Sequence, residues 1–189
     1  MCRNVRHNGF ENPRSLCKKF KGKMMESKSA TASEVVMTHL VLPQDANPAG
    51  NLHGGVILKH IDTAGGVVAK KHSRTNTVTV SIDRMAFKQP AYMGELLTFK
   101  ASLNYVGRSS MEIGVRVEAE DLTTGEVRHT NSAYLTYVAL DENGKPTPVP
   151  PLTLENDTVK RRYKEAELRR ELRKKELELE AGEKICLEK

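Results

Sequence analysis

Between residues 51 and 140 the chain offers one helical pattern and then four strand patterns in a row. Parallel strands need a crossover of a dozen or more residues between neighbours, usually a helix. No helical pattern separates these runs, so the sheet is expected to be antiparallel and the class α+β, with the sheet curled over the helix. The helix reads as "NLHGGVILKHIDTAGGVVAKKH", residues 51–72. Ile57, Ile61, Ala64, Gly65 and Val68 recur on one helical face. Lys70 and Lys71 favour its C-terminal end through the helix dipole.

The strand candidates are 77–87, 94–107, 111–121 and 126–140, preceded by "EVVMTHLVL" over 34–42. In 77–87 Val78, Val80 and Ile82 alternate, and in 94–107 Leu97, Phe99, Ala101, Leu103 and Tyr105 do. The third run is the most regular. Met111, Ile113, Val115, Val117 and Ala119 alternate with Glu112, Arg116, Glu118 and Glu120, which predicts one buried and one wet face. "LTTGE" and "DENGKP" supply turns. After the Pro-rich "KPTPVPPLTL" a charged helix is expected over 156–189. Its thin apolar stripe of Leu168, Leu172 and Leu179 suggests light docking on the body or on a neighbouring subunit.

Charge is unevenly placed. Residues 1–28 hold 8 Lys+Arg and 2 Asp+Glu, residues 29–156 hold 11 and 13, and residues 157–189 hold 11 and 9. The body is slightly acidic, which argues against a nucleic-acid partner. In the C-terminal helix acids and bases interleave too evenly for a phosphate-tracking patch. Residues 1–28 are basic and poor in apolar residues, and are expected to form a disordered extension. No run is long enough for a membrane span. Cys2, Cys17 and Cys186 all lie outside the body, which fits a reducing, cytoplasmic location.

Several residues in the helix region work against stability. Each of Gly65 and Gly66 costs about 1 kcal/mol relative to Ala inside a helix, so something is expected to approach the backbone there, either chain or ligand. Asp62 is mid-helix, with Leu58, Gly65, Gly66 and Ala69 around it and no cation at i±4. Such a carboxylate is expected to be partly desolvated, which suits a general base and equally suits a hydrogen bond across an interface. The entry loop "DANPAGNLHGG" brings Asp45 and Asn47 to the helix start, where Gly54 and Gly55 are expected to leave backbone N–H groups bare for an oxyanion. His53 reads as a packing or positioning residue. "VGRSSMEI" offers Arg108 with Ser109 and Ser110, a combination that suits phosphate as well as an ordinary polar hairpin. The chain has no Gly-x-Ser-x-Gly elbow, Walker loop or HExxH, and its histidines have no metal-ligand spacing.

Four segments taken together resemble the acyl-CoA hydrolase family of hotdog-fold thioesterases. They are "PQDANPAGNLHGGVILKHIDTAGGVVAKKH", "VTVSIDRMAFKQPAYMGE", "VGRSSMEI" and "HTNSAYLTYVALDENGKPTPVPPL", and the resemblance covers about residues 33–155. It implies a single hotdog domain, over 29–155, that must pair with a second copy, and often a trimer of dimers. It implies hydrolysis of acyl-CoA to fatty acid and coenzyme A with no separate cofactor or metal. The family's catalytic carboxylate falls on Asp62 and its asparagine on Asn47. Gly54, Gly55 and His53 border the expected thioester site. The coenzyme A contacts fall on Val80, Ser81 and Ile82 and on Ser109, Ser110 and Met111, with Arg108 placed for a phosphate. A non-hydrolytic acyl-CoA-binding protein would keep these contacts and have no need of Asp62 or Asn47.

Overall fold

The computed structural model describes residues 25–187, with side chains through Glu180. Its elements run β1 (Lys28–Ser29), β2 (Val35–Leu40), α1 (Gly54–Ser73), β3 (Asn76–Phe87), β4 (Leu96–Val106), β5 (Ser110–Glu120), β6 (Val127–Leu140), β7 (Leu152–Thr153) and α2 (Asp157–Leu187). Strands β2 to β6 form one antiparallel sheet in the order β2-β4-β5-β6-β3. The sheet curls around α1, the hotdog arrangement. Helix α1 buries Ile57, Ile61, Ala64, Gly65 and Val68, the face its periodicity marks. Against it stand Phe99, Leu103, Met111, Ile113, Val115, Val117, Leu135 and Tyr137, all buried. Arg74 ends the helix in the left-handed region (φ 59°), its N–H donating to the Lys70 carbonyl.

The N-terminal boundary differs from expectation. Residues 1–24 lie outside the described residues, but Lys28, assigned to a disordered extension, begins β1. It pairs in parallel with Leu152 of β7, and its Nζ donates to the His72 carbonyl at 2.7 Å. The proline-rich segment is thereby clamped beside the end of α1. His72 itself is fully buried, with Nδ1 3.1 Å from Ser33 Oγ and Nε2 2.8 Å from the Pro150 carbonyl.

Burial pushes the His72 pKa below the ordinary value, and burial does the same to His60 and His129. As pH falls, the unfolded chain therefore takes up protons before the folded one does. This contribution to stability is complete above the ordinary histidine value of 6.5. It is lost as pH falls below that and through the depressed folded values, at about 1.4 kcal/mol per pH unit for each proton. The urea midpoint is expected to drop from about pH 7 to about pH 5.5, and a flat midpoint would contradict the burial of these rings.

Strand β3 departs from simple alternation. Its register against β6 shifts between Thr79 and Ser81 and again between Ile82 and Arg84. Without the first shift Thr79 and Ser81 would share a face. With it, Thr79 pairs Tyr137 on the helix side, and Ser81 pairs Thr136 on the outer side. Val78, Val80 and Ile82 thus do not form one buried row, and all three are exposed on this edge strand.

Helix α2 lies across the outer face of the sheet. The leucine stripe does not dock on the body of its own chain: Leu168, Leu172 and Leu179 are all exposed there. The contact face is Val159, Arg162, Tyr163, Ala166, Arg169 and Arg173, which follows helical spacing but is built largely from arginine. Arg169 Nη2 lies 2.7 Å from Glu112 Oε1, and its guanidinium sits 3.8 Å above the Tyr134 ring. Arg162 donates to Ser102, and the Tyr163 and Tyr105 rings pack at 4.8 Å. Glu112, expected on a wet face, is consequently buried.

Candidate active site

Asp62 projects from the third turn of α1 toward the β3–β6 pair and is half-buried. Its Oδ1 accepts from Thr79 Oγ1 at 2.7 Å and from the Tyr137 hydroxyl at 3.0 Å, and the same hydroxyl reaches the Asp62 carbonyl at 2.8 Å. Burial, reinforced by the charge of Asp62, pushes the Tyr137 phenol far up, so at neutral pH it donates a proton. Two hydroxyls thus fix the carboxylate on one oxygen. No hydrogen bond is recorded at Oδ2 among the described residues.

The close approach expected at the glycine pair is made by Tyr137, and chiefly at one glycine. A Cβ on Gly65 would stand 2.6 Å from the Tyr137 hydroxyl oxygen and 3.0 Å from its ring, whereas one on Gly66 would stand 3.7 Å away. Gly65→Ala is therefore expected to lower the unfolding midpoint, because an overpacking cost of about 1–3 kcal/mol outweighs a helix-propensity gain of about 1 kcal/mol. It also moves the Tyr137 hydroxyl off Asp62. Gly66→Ala is expected to keep or raise the midpoint. Equal midpoints for the two variants would show that Tyr137 is not what Gly65 accommodates.

The entry loop is pinned at several points. Asp45 Oδ2 accepts from the Leu42 N–H at 3.0 Å and lies 2.9 Å from His39 Nε2. Those bonds, the Leu42 amide first, hold its carboxyl below the usual range. The Asp45 carbonyl accepts from the His53 N–H at 2.8 Å, tying the loop to the start of α1. Asn47 hydrogen-bonds Asn51 through both backbone and side chain, and its Oδ1 accepts from the Ala49 N–H at 2.9 Å. Within the chain Asn47 forms no hydrogen bond to Asp62 among the described residues.

The helix start differs from expectation in one respect. The Gly55 N–H is not bare: it donates to His53 Nδ1 at 3.0 Å, so His53 is the N-cap of α1. The His53 ring is exposed, so the cap sits on the surface. A Cβ on Gly54 would meet the Phe87 ring at 3.2 Å.

Of the remaining candidates, Val80, Ser81, Ser110 and Met111 border one cavity of about 280 Å³ between the sheet and α2. Ile82 is outside it. Arg108 instead borders a separate hollow of about 440 Å³ beside Pro148, Leu152 and Tyr163. The Ser109 carbonyl accepts from the Ala139 N–H at 2.9 Å, which fixes the turn between β4 and β5.

The model of the thioesterase superfamily matches residues 49–126, the span from the entry loop to the turn before β6. The VdlD protein of Helicobacter pylori is 43% identical over 145 residues, covering 77% of this chain and 83% of that protein. The chain belongs to the thioesterase superfamily. An apo-hexameric acyl-CoA thioesterase superposes with a TM-score of 0.79 at 40% identity, covering 81% of this chain and 98% of that one. A Staphylococcus aureus acyl-CoA hydrolase, in complex with butyryl coenzyme A, coenzyme A and coenzyme A disulfide, superposes at 0.77 with 34% identity, covering 84% and 96%. Alanine variants of the Staphylococcus enzyme at an aspartate, an asparagine and a threonine have also been solved.

Within this thioesterase-superfamily chain, sequence reasoning missed Thr79, Tyr137 and the arginines of α2. Thr79 sits inside a strand run that reads as ordinary β-branched filler, and Tyr137 lies 75 residues from the carboxylate it holds. The arginines carry a detectable signal, a basic row at helical spacing, but a solvated helix shows the same row. No helix of the described residues is long and apolar enough to cross a membrane.

Proposed function

We propose that this protein hydrolyses acyl-CoA thioesters, with Asp62 as the general base or nucleophile. The observation that carries the reading is the half-buried Asp62 carboxylate, held on one oxygen by Thr79 and Tyr137 in the third turn of α1. The Staphylococcus variants support it by spacing. In that enzyme the aspartate follows the asparagine by 15 residues and the threonine follows the aspartate by 17. Asn47, Asp62 and Thr79 have the same spacings here.

A thioester carbonyl is more electrophilic than an ester's, so modest assistance suffices. With Oδ1 held by two donors, Oδ2 deprotonates a water that attacks the carbonyl, or attacks it directly to give a short-lived anhydride. The Gly55 N–H stabilises the developing oxyanion, aided by the helix dipole, once the exposed His53 ring gives up its bond to that N–H. The thiolate of coenzyme A leaves and is protonated, and water completes the acid product.

Asn47 orients the water or the thioester in the site of a second copy, since its side chain does not bond Asp62 in its own chain. Pairing through β3 is supported by its free edge and exposed Val78, Val80 and Ile82, and by the hexameric state of the similar thioesterase. Mixing Asn47→Ala and Asp62→Asn chains tests this. Each mixed dimer then holds one site with both groups intact, so activity is expected to reappear on mixing two inactive variants. No recovery would place both groups in one chain. A cytoplasmic location agrees with a body free of cysteine.

A further inference from the structure

Asn47 heads the stretch "NPAGN", residues 47–51, and those residue types dictate a tight turn. Asn at the first position, Pro at the second and Gly at the fourth is a favoured β-turn pattern. The Gly50 N–H donates to the Asn47 carbonyl at 2.9 Å, and Gly50 takes φ +84°, where a side chain would be strained although a Cβ would meet nothing. Behind the turn the Asn47 N–H donates to the Asn51 carbonyl at 2.7 Å, Ala46 pairs with Leu52, and Asn51 pairs with Tyr92. The Tyr92 N–H donates to Glu95 Oε2 at 2.9 Å, and Arg128 lies 2.7 Å from the other oxygen of that buried carboxylate. The backbone at Asn51 is therefore fixed without help from its side chain.

That side chain has another use. An asparagine amide is nearly symmetric in shape, and rotation about its last bond is loose. Its hydrogen-bond partners decide which end faces a reacting group. A backbone N–H can only donate, so the atom that the Ala49 N–H meets at 2.9 Å is Asn47 Oδ1. Asn47 Nδ2 then faces Asn51, whose Oδ1 accepts from it. The Asn51 side chain forms no other hydrogen bond among the described residues. The two bonds hold the Asn47 amide at both ends and leave one Nδ2 proton and one Oδ1 lone pair for a ligand. We propose that Asn51 is a positioning residue for hydrolysis: its Oδ1 fixes the orientation in which the Asn47 amide is presented to the thioester or its attacking water. The proposal rests on the reading of Asn47 given above. Without the Asn51 acceptor the amide keeps only the Ala49 bond and swings about it, and the half-buried Nδ2 loses its partner.

The test is a double-mutant cycle on the purified full chain, reading kcat, KM and the thermal midpoint with acyl-CoA of the preferred length. Asn51→Leu keeps the size of the side chain and loses the acceptor, whereas Asn51→Asp keeps both. Asn51→Leu is expected to lower kcat roughly 10-fold, the scale of a small misplacement, with KM within about twofold and the melt unchanged. Asn51→Asp recovers most of that loss. In the Asn47→Ala background Asn51→Leu lowers the residual kcat no further, because no amide is left to orient. Unchanged kcat in Asn51→Leu, an equal further loss in the Asn47→Ala background, or no recovery in Asn51→Asp overturns the proposal. A fall in the melt that tracks the loss of kcat makes Asn51 a residue of the fold and overturns it too. A fully active Asn47→Ala sinks the reading of Asn47, and Asn51 with it, while hydrolysis stands. A wild type that releases no thiol sinks the hydrolase reading and both roles with it.

Discussion

Asp62→Asn is expected to lower kcat for thioester hydrolysis roughly 10³-fold, the usual range for loss of a positioned general base, while the unfolding midpoint barely moves. The asparagine side chain has the same shape, and its Oδ1 still accepts the hydroxyls of Thr79 and Tyr137. Those two bonds tie α1 to β3 and β6, so the fold keeps its anchors. Only the negative charge and its proton affinity are lost. Thiol-release kinetics beside a thermal melt separate the two effects. A large fall in both would make Asp62 an anchor of the fold, and a fall in neither would remove it from the chemistry. Thr79→Ala is a milder companion. It frees one of the two bonds to Oδ1 and is expected to cost roughly 10-fold in kcat through misplacement.

Arg169→Ala is expected to have the largest effect on stability, about 3 kcal/mol or more. Glu112 is only 3% exposed, and Arg169 is its cationic partner, with Asn104 at a longer 3.3 Å. Removing one member of a buried pair leaves the other charge desolvated without compensation. The Arg169 guanidinium also covers the Tyr134 ring, so packing is lost with the charge. If α2 detaches before that cost is met in full, Glu112 regains water and the loss appears as release of the helix. Urea denaturation and limited proteolysis together read both outcomes. Leu168→Ala with Leu172→Ala is the control, expected to stay within about 0.5 kcal/mol because both side chains are exposed. A larger loss in the leucine pair than in Arg169→Ala would restore the stripe as the docking face.

Elements whose patterning is local were legible in the sequence. The alternating run at 111–121 became β5, Ser110–Glu120, and the helical face of Ile57 to Val68 became the buried face of α1. The features missed depend on partners distant in sequence. The parity change in β3 comes from its register against β6, which no pattern within β3 shows. The α2 interface was read from its leucines, because hydrophobic periodicity assumes that apolar atoms make the contact. Here arginine stems, guanidinium groups and a buried glutamate make it. Asp62 stood out for its position on the helix, but the hydroxyls that hold it come from residues 17 and 75 positions away. Gly55 was expected to present a free N–H, and the residue that occupies it, His53, lay two positions away in plain view. A histidine Nδ1 can accept at an N-cap as a serine or aspartate oxygen does, and only geometry shows that it does so.

The most direct test is release of free coenzyme A thiol by the purified protein across acyl-CoA substrates of increasing chain length, with the fatty acid measured alongside. One thiol and one free acid are expected for each thioester consumed, with kcat/KM of at least about 10⁴ M⁻¹s⁻¹ on the preferred length. Acyl-CoA that binds but releases no thiol at any length would contradict hydrolysis and leave a non-hydrolytic acyl-CoA-binding protein.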